Sequence, residues 1–197
     1  MRRLSALFVA AILSTANPSG AHELGARVDL PSKFERFVVA AGNVRLVQYY
    51  GLGHLDGPNG SVRFRVGRIS AAGQPAALLA LEVRVSVSGP SRATQTGFID
   101  SDDLEPLVKA LNEMDRMLKK RHILMNADMA EAEFSAGSVR VVTVLANRPG
   151  DRDRFVIVAG GPSRATATLD PSDLPKVLTF VSKALEKIAE VSDGGTR

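Results

Sequence analysis

The sequence predicts an α+β fold built from two quasi-equivalent units. Each unit is an antiparallel sheet of four to five strands closed by one C-terminal amphipathic helix. Three observations predict this fold: motifs that recur in the same order, stretches with the two-residue alternation of strands, and two segments with helical spacing of apolar residues. A sheet with one apolar face and a helix with one apolar stripe bury these surfaces against each other. Two independent sheet–helix domains are the alternative.

The repeat rests on three landmarks. Gly-Pro-Ser-Arg-Ala-Thr occurs at residues 89–94 and again at 161–166, and an acidic helix start follows at Asp100 and at Asp170. The third landmark pairs the similar segments 41–47 and 136–142. Because three matches in one order are hard to obtain by chance, we infer a repeat.

The two units differ in length. Unit one covers residues 32–121 and unit two covers residues 127–192, and the short link between them favours packing as one body. Unit one is the longer, and we assign its surplus, between residues 50 and 78, to one extra strand with its loops.

Alternation of apolar and polar residues marks the strands. Val62, Phe64 and Val66 alternate with Arg63 and Arg65, as expected of a half-buried antiparallel strand. The segments predicted as strands are 44–50, 61–70, 81–88, 139–146 and 154–159.

A helix is expected at the end of each unit. Asp170 fits the N-cap and Pro171 the first helical position, and Asp100 takes the equivalent place in unit one. Apolar residues then follow at helical spacing. They are Leu104, Leu107, Val108, Leu111, Met114 and Leu118 in unit one, and Leu174, Val177, Leu178, Val181, Leu185 and Ile188 in unit two.

The first 21 residues have the order of a secretory signal peptide: Arg2 and Arg3, an apolar run over residues 4–13, and a small-residue end at Ala21. The run is shorter than the about 20 residues of a membrane-spanning helix. We therefore expect a periplasmic or secreted protein that begins at His22 and has no transmembrane segment in its mature part. An uncleaved membrane anchor is the alternative.

Composition excludes several classes of site and partner. The chain has no Cys, so disulfides and thiolate metal sites are impossible. Without Arg2 and Arg3, Lys and Arg fall from 25 to 23 against 21 acidic residues, a net charge of +2. This charge is too small to argue for nucleic acid as a partner.

The end of unit one resembles a known kind of sequence. Gly-Phe-Ile-Asp at residues 97–100, an acidic cap and a Leu-x-x-Leu helix start resemble the closing strand and helix of uncharacterised bacterial proteins. The duplicated plan of strands followed by a helix is similar, in architecture, to the Whirly and Pur-alpha-type repeats. That resemblance implies single-stranded nucleic acid as an alternative ligand.

Five arginines fall on the polar phase of their strands: Arg45, Arg63, Arg65, Arg84 and Arg140. They are candidates for a cationic sheet face that binds an anionic glycan, a lipid head group or an acidic partner. The alternative is a solvated face interleaved with Glu82 and Glu133, or edge charges that prevent aggregation.

No motif for catalysis, for a cofactor or for phosphate binding is present. We therefore expect a non-enzymatic exported protein that acts by binding or interaction. Two alternatives remain. One is a single-stranded nucleic-acid-binding protein. The other is a copper-binding protein that uses the amine and imidazole of an N-terminal His22, with His54 or His122 as a further ligand.

Overall fold

The structure of the protein is a computed structural model. It describes residues 32–39, 44–71, 77–90, 92–120 and 127–193. The predicted signal peptide over residues 1–21 and two of the histidines, His22 and His122, lie outside the described residues.

The first unit contains a short helix, four strands and a long helix. Its elements are α1 (Lys33–Val39), β1 (Arg45–Gly57), β2 (Gly60–Ala71), β3 (Leu78–Val87), β4 (Ala93–Asp100) and α2 (Leu104–Lys119). A single 3-10 turn, Ser101–Asp103, joins β4 to α2.

The second unit repeats the four strands and the long helix. Its elements are β5 (Met129–Ala136), β6 (Val139–Ala146), β7 (Arg154–Ala159), β8 (Ala165–Leu169) and α3 (Leu174–Asp193). A 3-10 turn, Pro171–Asp173, again precedes the helix.

Each unit forms one antiparallel sheet in which neighbours in sequence are neighbours in space. The strand orders are β1-β2-β3-β4 and β5-β6-β7-β8. The predicted α+β class, with two similar units that each end in a helix, is therefore confirmed. The alternation in β2 has the expected result, because Val62, Phe64 and Val66 are buried while Arg63 is exposed.

The two units share one core. Helix α3 of the second unit contacts β1, β2 and β3 of the first sheet, and the ring centroids of Phe180 and Phe64 lie 5.2 Å apart. Helix α2 packs against α3 and contacts β5 of the second sheet. Buried side chains from both sheets and both long helices form one continuous cluster. The inner face of the first sheet is thus covered by the helix of the other unit.

The surplus length of unit one is not an extra strand, so that interpretation was wrong. Strands β1 and β2 have 13 and 12 residues, whereas β5 and β6 have 8 each. The glycines after Tyr50 do not end β1, because a register shift between Gly51 and Gly53 absorbs one extra residue as a β-bulge. The surplus therefore lengthens the first hairpin.

The third landmark of the repeat was also paired incorrectly. Residues 45–47 lie on β1, whereas residues 139–142 lie on β6, the second strand of its sheet. By register the counterpart of residues 139–142 is residues 60–63, because Gly57–Gly60 and Ala136–Val139 are the pairs that close the first hairpin of each sheet.

Equivalent contacts between the units support this corrected pairing. The Asn59 side-chain oxygen accepts a hydrogen bond from the backbone N–H of Thr168 (2.7 Å), and the Ser138 hydroxyl accepts one from the backbone N–H of Phe98 (3.1 Å). Asn59 and Ser138 both lie in the first turn of their sheet, and each accepting side chain meets the last strand of the other unit. The two halves therefore exchange the same kind of contact.

The two acidic helix starts differ in what they bind. The Asp170 carboxylate accepts a hydrogen bond from the Ser172 N–H at 2.8 Å, as expected of an N-cap. The expectation for Asp100 is corrected, because its side chain makes no bond to its own helix. Its two oxygens instead accept the N–H groups of Lys33 (2.7 Å) and Phe34 (3.1 Å) at the start of α1.

Helix α1 explains this change of partner. It lies against the outer face of the first sheet, where the fully buried Phe34 ring stacks on Phe98 with centroids 4.8 Å apart. The same ring touches Gly67, which has no side chain to keep it away from β2. Because α1 needs partners for its first N–H groups, the nearby Asp100 carboxylate is used there.

We expect Gly137→Ala to destabilise the fold by about 1–3 kcal/mol. Gly137 has a φ of +54°, and a Cβ there would lie 2.1 Å from the Phe98 carbonyl oxygen across the contact between the units. Gly51→Ala is the matched control, because no atom lies within 4 Å of its Cβ position. Urea denaturation measures the stability of both variants. Equal denaturation midpoints would contradict the close contact between Gly137 and the Phe98 carbonyl.

Candidate anion-binding face on the first sheet

The outer face of the first sheet carries two polar rows that cross all four strands. One row, in register from β1 to β4, is His54, Arg63, Arg84 and Thr96. The next row, nearer the β1–β2 turn, is Asp56, Ser61, Ser86 and Thr94. Because side chains alternate along a strand, these eight point away from the shared core. We call them the polar face.

A buried carboxylate organises the arginines at one border of the polar face. Glu82 is 1% exposed, and its Oε1 accepts hydrogen bonds from Nη2 and Nε of Arg65 at 2.5 and 3.0 Å. The Nε of Arg84 lies 3.7 Å from the same oxygen and also donates to the Thr96 hydroxyl at 3.3 Å. Arg65 is therefore neutralised, while Arg84 is only partly compensated.

Tyr49 completes this border. The Arg65 guanidinium lies 4.3 Å from the centroid of the Tyr49 ring, within range of a cation–π contact. Burial, followed by the negative charge of Glu82, raises the pKa of the Tyr49 hydroxyl above its ordinary value. The residue therefore contributes an uncharged aromatic ring at neutral pH, and that ring is used to hold Arg65.

Arg63 is the least compensated cation of this face. It is exposed, and its side chain forms no hydrogen bond or ion pair within the described residues. It is the register partner of Arg84 on the adjacent strand. Like charges directly opposite each other destabilise a sheet. An anion between the two guanidinium groups would remove that repulsion.

The polar face is concave enough to hold a small group. An open depression of about 450 Å³ is lined by every member of the polar face except Thr96. A second depression of about 330 Å³ adjoins it at Thr94 and includes Arg92. The Thr94 and Ser86 hydroxyl oxygens are 3.2 Å apart and hydrogen-bonded. The site thus combines guanidinium groups with hydroxyl groups.

The structure brings together three of the five arginines singled out in the sequence: Arg63, Arg65 and Arg84. Arg45 lies at the opposite end of β1, where it donates a hydrogen bond to the Val38 carbonyl. Arg140 lies on the second sheet, is 6% exposed, and has its Nη1 3.7 Å from Glu133. The five arginines therefore do not form one face as predicted. Arg63, Arg65 and Arg84 share the outer face of the first sheet, whereas Arg45 lies beside α1 and Arg140 lies on the second sheet.

The equivalent surface of the second sheet has a different character. Counted from the hairpins, Val142 and Val156 occupy the positions that Arg63 and Arg84 hold in the first sheet. These two valines are buried in a small apolar cluster outside the main core, together with Val144 and Val158. The repeated framework thus carries an open polar surface on one sheet and a buried apolar one on the other.

His54, which the sequence suggested as a candidate further copper ligand, lies on the polar face. Its Nε2 lies 3.8 Å from the Asp56 carboxylate, and both side chains are well exposed. Within the part of the chain that the structure describes, no three His, Cys, Asp or Glu side chains are grouped to hold a metal ion. The copper site at His22 falls outside that part and stays a prediction.

The hydroxyl groups of the polar face were not predicted from the sequence. They belong to Ser61, Ser86, Thr94 and Thr96. Their position depends on the pairing of β3 with β4, and of β4 only the end, residues 97–100, was anticipated, through the resemblance to a closing strand. The alternation Thr94–Gln95–Thr96 was the available signal, since both threonines fall on one side of an extended chain.

Comparison with known proteins gives this surface no precedent. No protein-family profile, no curated protein and no solved structure matches the chain. Among the described residues, no helix is long and apolar enough to cross a membrane.

We expect Glu82→Gln to lower the free energy of unfolding by about 2–3 kcal/mol, because it leaves Arg65 and Arg84 without their buried counter-charge. Glu113→Gln is the control. It removes the same charge from an exposed pair with Arg116 and should cost less than about 0.5 kcal/mol. Urea denaturation of the two variants provides the comparison. If Glu82→Gln lowers the free energy of unfolding no more than Glu113→Gln does, the Glu82 carboxylate does not hold Arg65 and Arg84 in place.

Proposed function

We propose that this is an exported, non-enzymatic binding protein that holds an anionic group on the polar face. The observation that carries the proposal is the direct opposition of Arg63 and Arg84 on an open surface. Within the described residues, Arg84 lies within 3.7 Å of a carboxylate, that of Glu82, whereas Arg63 forms no ion pair. Guanidinium groups bind carboxylate and phosphate oxygens by paired, charge-assisted hydrogen bonds.

The chemistry of the polar face favours an acidic saccharide among the anionic ligands expected from the sequence. The depression is lined by polar residues alone and has three hydroxyl side chains beside the arginines, and Thr96 adds a fourth hydroxyl on the same face. Hydroxyl groups match the hydroxyls of a sugar, whereas an acyl chain needs an apolar surface. A lipid head group is therefore the weaker choice.

Single-stranded nucleic acid is also less well supported. Proteins that bind it stack bases on aromatic side chains in a positively charged groove. The aromatic ring beside the polar face, Tyr49, is in contact with the Arg65 guanidinium. The lining also carries the negative charge of Asp56. Both features favour a small anionic group over a polyanion.

Export is supported by the composition of residues 1–21. We expect the mature protein, recovered from the periplasm or medium of a bacterial host, to begin at His22. N-terminal sequencing of the recovered protein tests this. A protein that retains Met1 in the cytoplasm would contradict export, without affecting the polar face.

Binding is tested by calorimetric titration with an oligogalacturonate and with a neutral oligosaccharide of equal length. We expect the acidic sugar to bind, with affinity that falls as salt is added. Arg63→Ala should weaken binding about tenfold or more, since a charge-assisted hydrogen bond contributes at least about 1.4 kcal/mol. Asp56→Asn should strengthen it, because it removes a like charge from the lining.

Arg152→Ala is the matched control for that titration. Arg152 is an exposed arginine in the loop before β7, so its removal changes the net charge by the same amount at a distant place. Equal losses of affinity in the Arg63 and Arg152 variants would show that net charge, and not the position of Arg63 on the polar face, determines binding. Failure of the acidic sugar to bind at all would reject this ligand class.

A further inference from the structure

Exposed apolar side chains gather at one edge of the first sheet. Among the described residues, seven large hydrophobic side chains are exposed, and six of them lie on α1, on the residue just before β1 or in the first half of β1. These six are Val38, Val39, Val44, Leu46, Val47 and Tyr49. The most exposed are Val44 at 84%, Val39 at 78% and Leu46 at 58%. Exposed apolar surface concentrated in this way is typical of an interaction site.

The same segment is the outer strand of its sheet. Among the described strands, β1 has β2 as its neighbour on one side and none on the other, so it is an edge strand. The last strands β4 and β8 differ, because Ser138 and Asn59 of the opposite unit bond to them. The first half of β1 contains no proline and a single charge, Arg45. It thus lacks the usual features that protect an edge strand from pairing.

We propose that a second copy of this chain pairs with β1 through the first half of that strand, in antiparallel orientation. A two-fold axis normal to the sheet leaves every side chain on its own face. Because residues directly opposite each other in an antiparallel pair share a face, one residue at the axis must lie opposite its own copy. With the axis at Val47, Arg45 of each copy lies opposite Tyr49 of the other. Leu46 lies opposite Gln48, and Val47 meets its own counterpart.

This register explains why the occupant is a copy of the chain and not an unrelated strand. A cation and an aromatic ring stand at equal distances on either side of Val47, on the same face of the strand. Two copies therefore place Arg45 opposite Tyr49 twice, beside the contacts that Arg45 makes with Val38 and Tyr49 makes with Arg65 in their own chain, and no like charges meet. Val38 lies beside the seam, because its carbonyl accepts a hydrogen bond from Arg45. The exposed end of α1 thus adds apolar area to the pairing.

Sedimentation velocity of the intact protein at several concentrations tests the proposal. We expect a reversible dimer whose dissociation constant rises about tenfold or more in Val47→Lys, since two like charges then meet on the axis. Met129→Lys is the matched control, because Met129 is 38% exposed and Val47 is 37% exposed, and Met129 lies on the other sheet. Circular dichroism confirms that both variants fold.

Cross-linking gives an independent readout of the register. Because the chain has no cysteine, a single introduced thiol has only its own copy to react with. Val47→Cys on the axis should form a disulfide-linked dimer under mild oxidation, whereas Met129→Cys should not. A protein that stays monomeric at all concentrations overturns the proposal. So does a dimer that Val47→Lys leaves intact, or a Val47→Cys variant that cross-links no better than the control.

Discussion

The packing of α3 across the first sheet is the contact on which the rest of the structure depends. A four-stranded meander has one apolar face that must be covered, and here the helix that covers it comes from the other unit. The Phe180 ring lies against Phe64 in the middle of that face. Because the core belongs to both units at once, neither sheet buries its inner face alone. Any surface on one sheet is thus held in place by the helix of the other.

The outer faces of the two sheets show what this framework permits. At equivalent positions the first sheet has Arg63 opposite Arg84, and the second has Val142 opposite Val156. The valine pair is buried and needs no further explanation than packing. The arginine pair brings two like charges together, and Glu82 compensates only one of them. A local arrangement that costs stability, on an open surface whose counterpart avoids it, is typical of functional sites, and it is the reason for proposing that the polar face binds a ligand.

Those parts of the fold that local patterns specify could be predicted from the sequence. Strands β6 and β7 and the two long helices have strong period-two or helical spacing, and their positions agree with the structure. Strand β5 was missed because its residues alternate between small and acidic ones, with little apolar contrast. Strand β8 is only five residues long.

Long-range features were beyond the reach of such patterns. Asp100 and Asp170 have similar sequence surroundings, yet Asp100 binds α1 because that helix docks beside it. The exchange of helices between units leaves no local mark in the sequence. The same holds for the polar face, because which arginine meets Glu82 depends on the register of β2 with β3.

The bulge in β1 connects the shared core to the polar face. Before the bulge Tyr49 points outward, and strict alternation would turn His54 and Asp56 inward. The extra residue between Gly51 and Gly53 reverses the phase, so that Leu55 is buried and His54 stands opposite Arg63.

Gly53 also lies against the Phe180 ring: a Cβ there would lie 2.4 Å from that ring. Its φ of +153° adds a backbone conformation that L side chains rarely adopt. A side chain at Gly53 would force the Phe180 ring to move from its place beside Phe64 and would strain the bulge that orients His54. The residue that allows the two units to share a core therefore also sets which side chains the polar face presents.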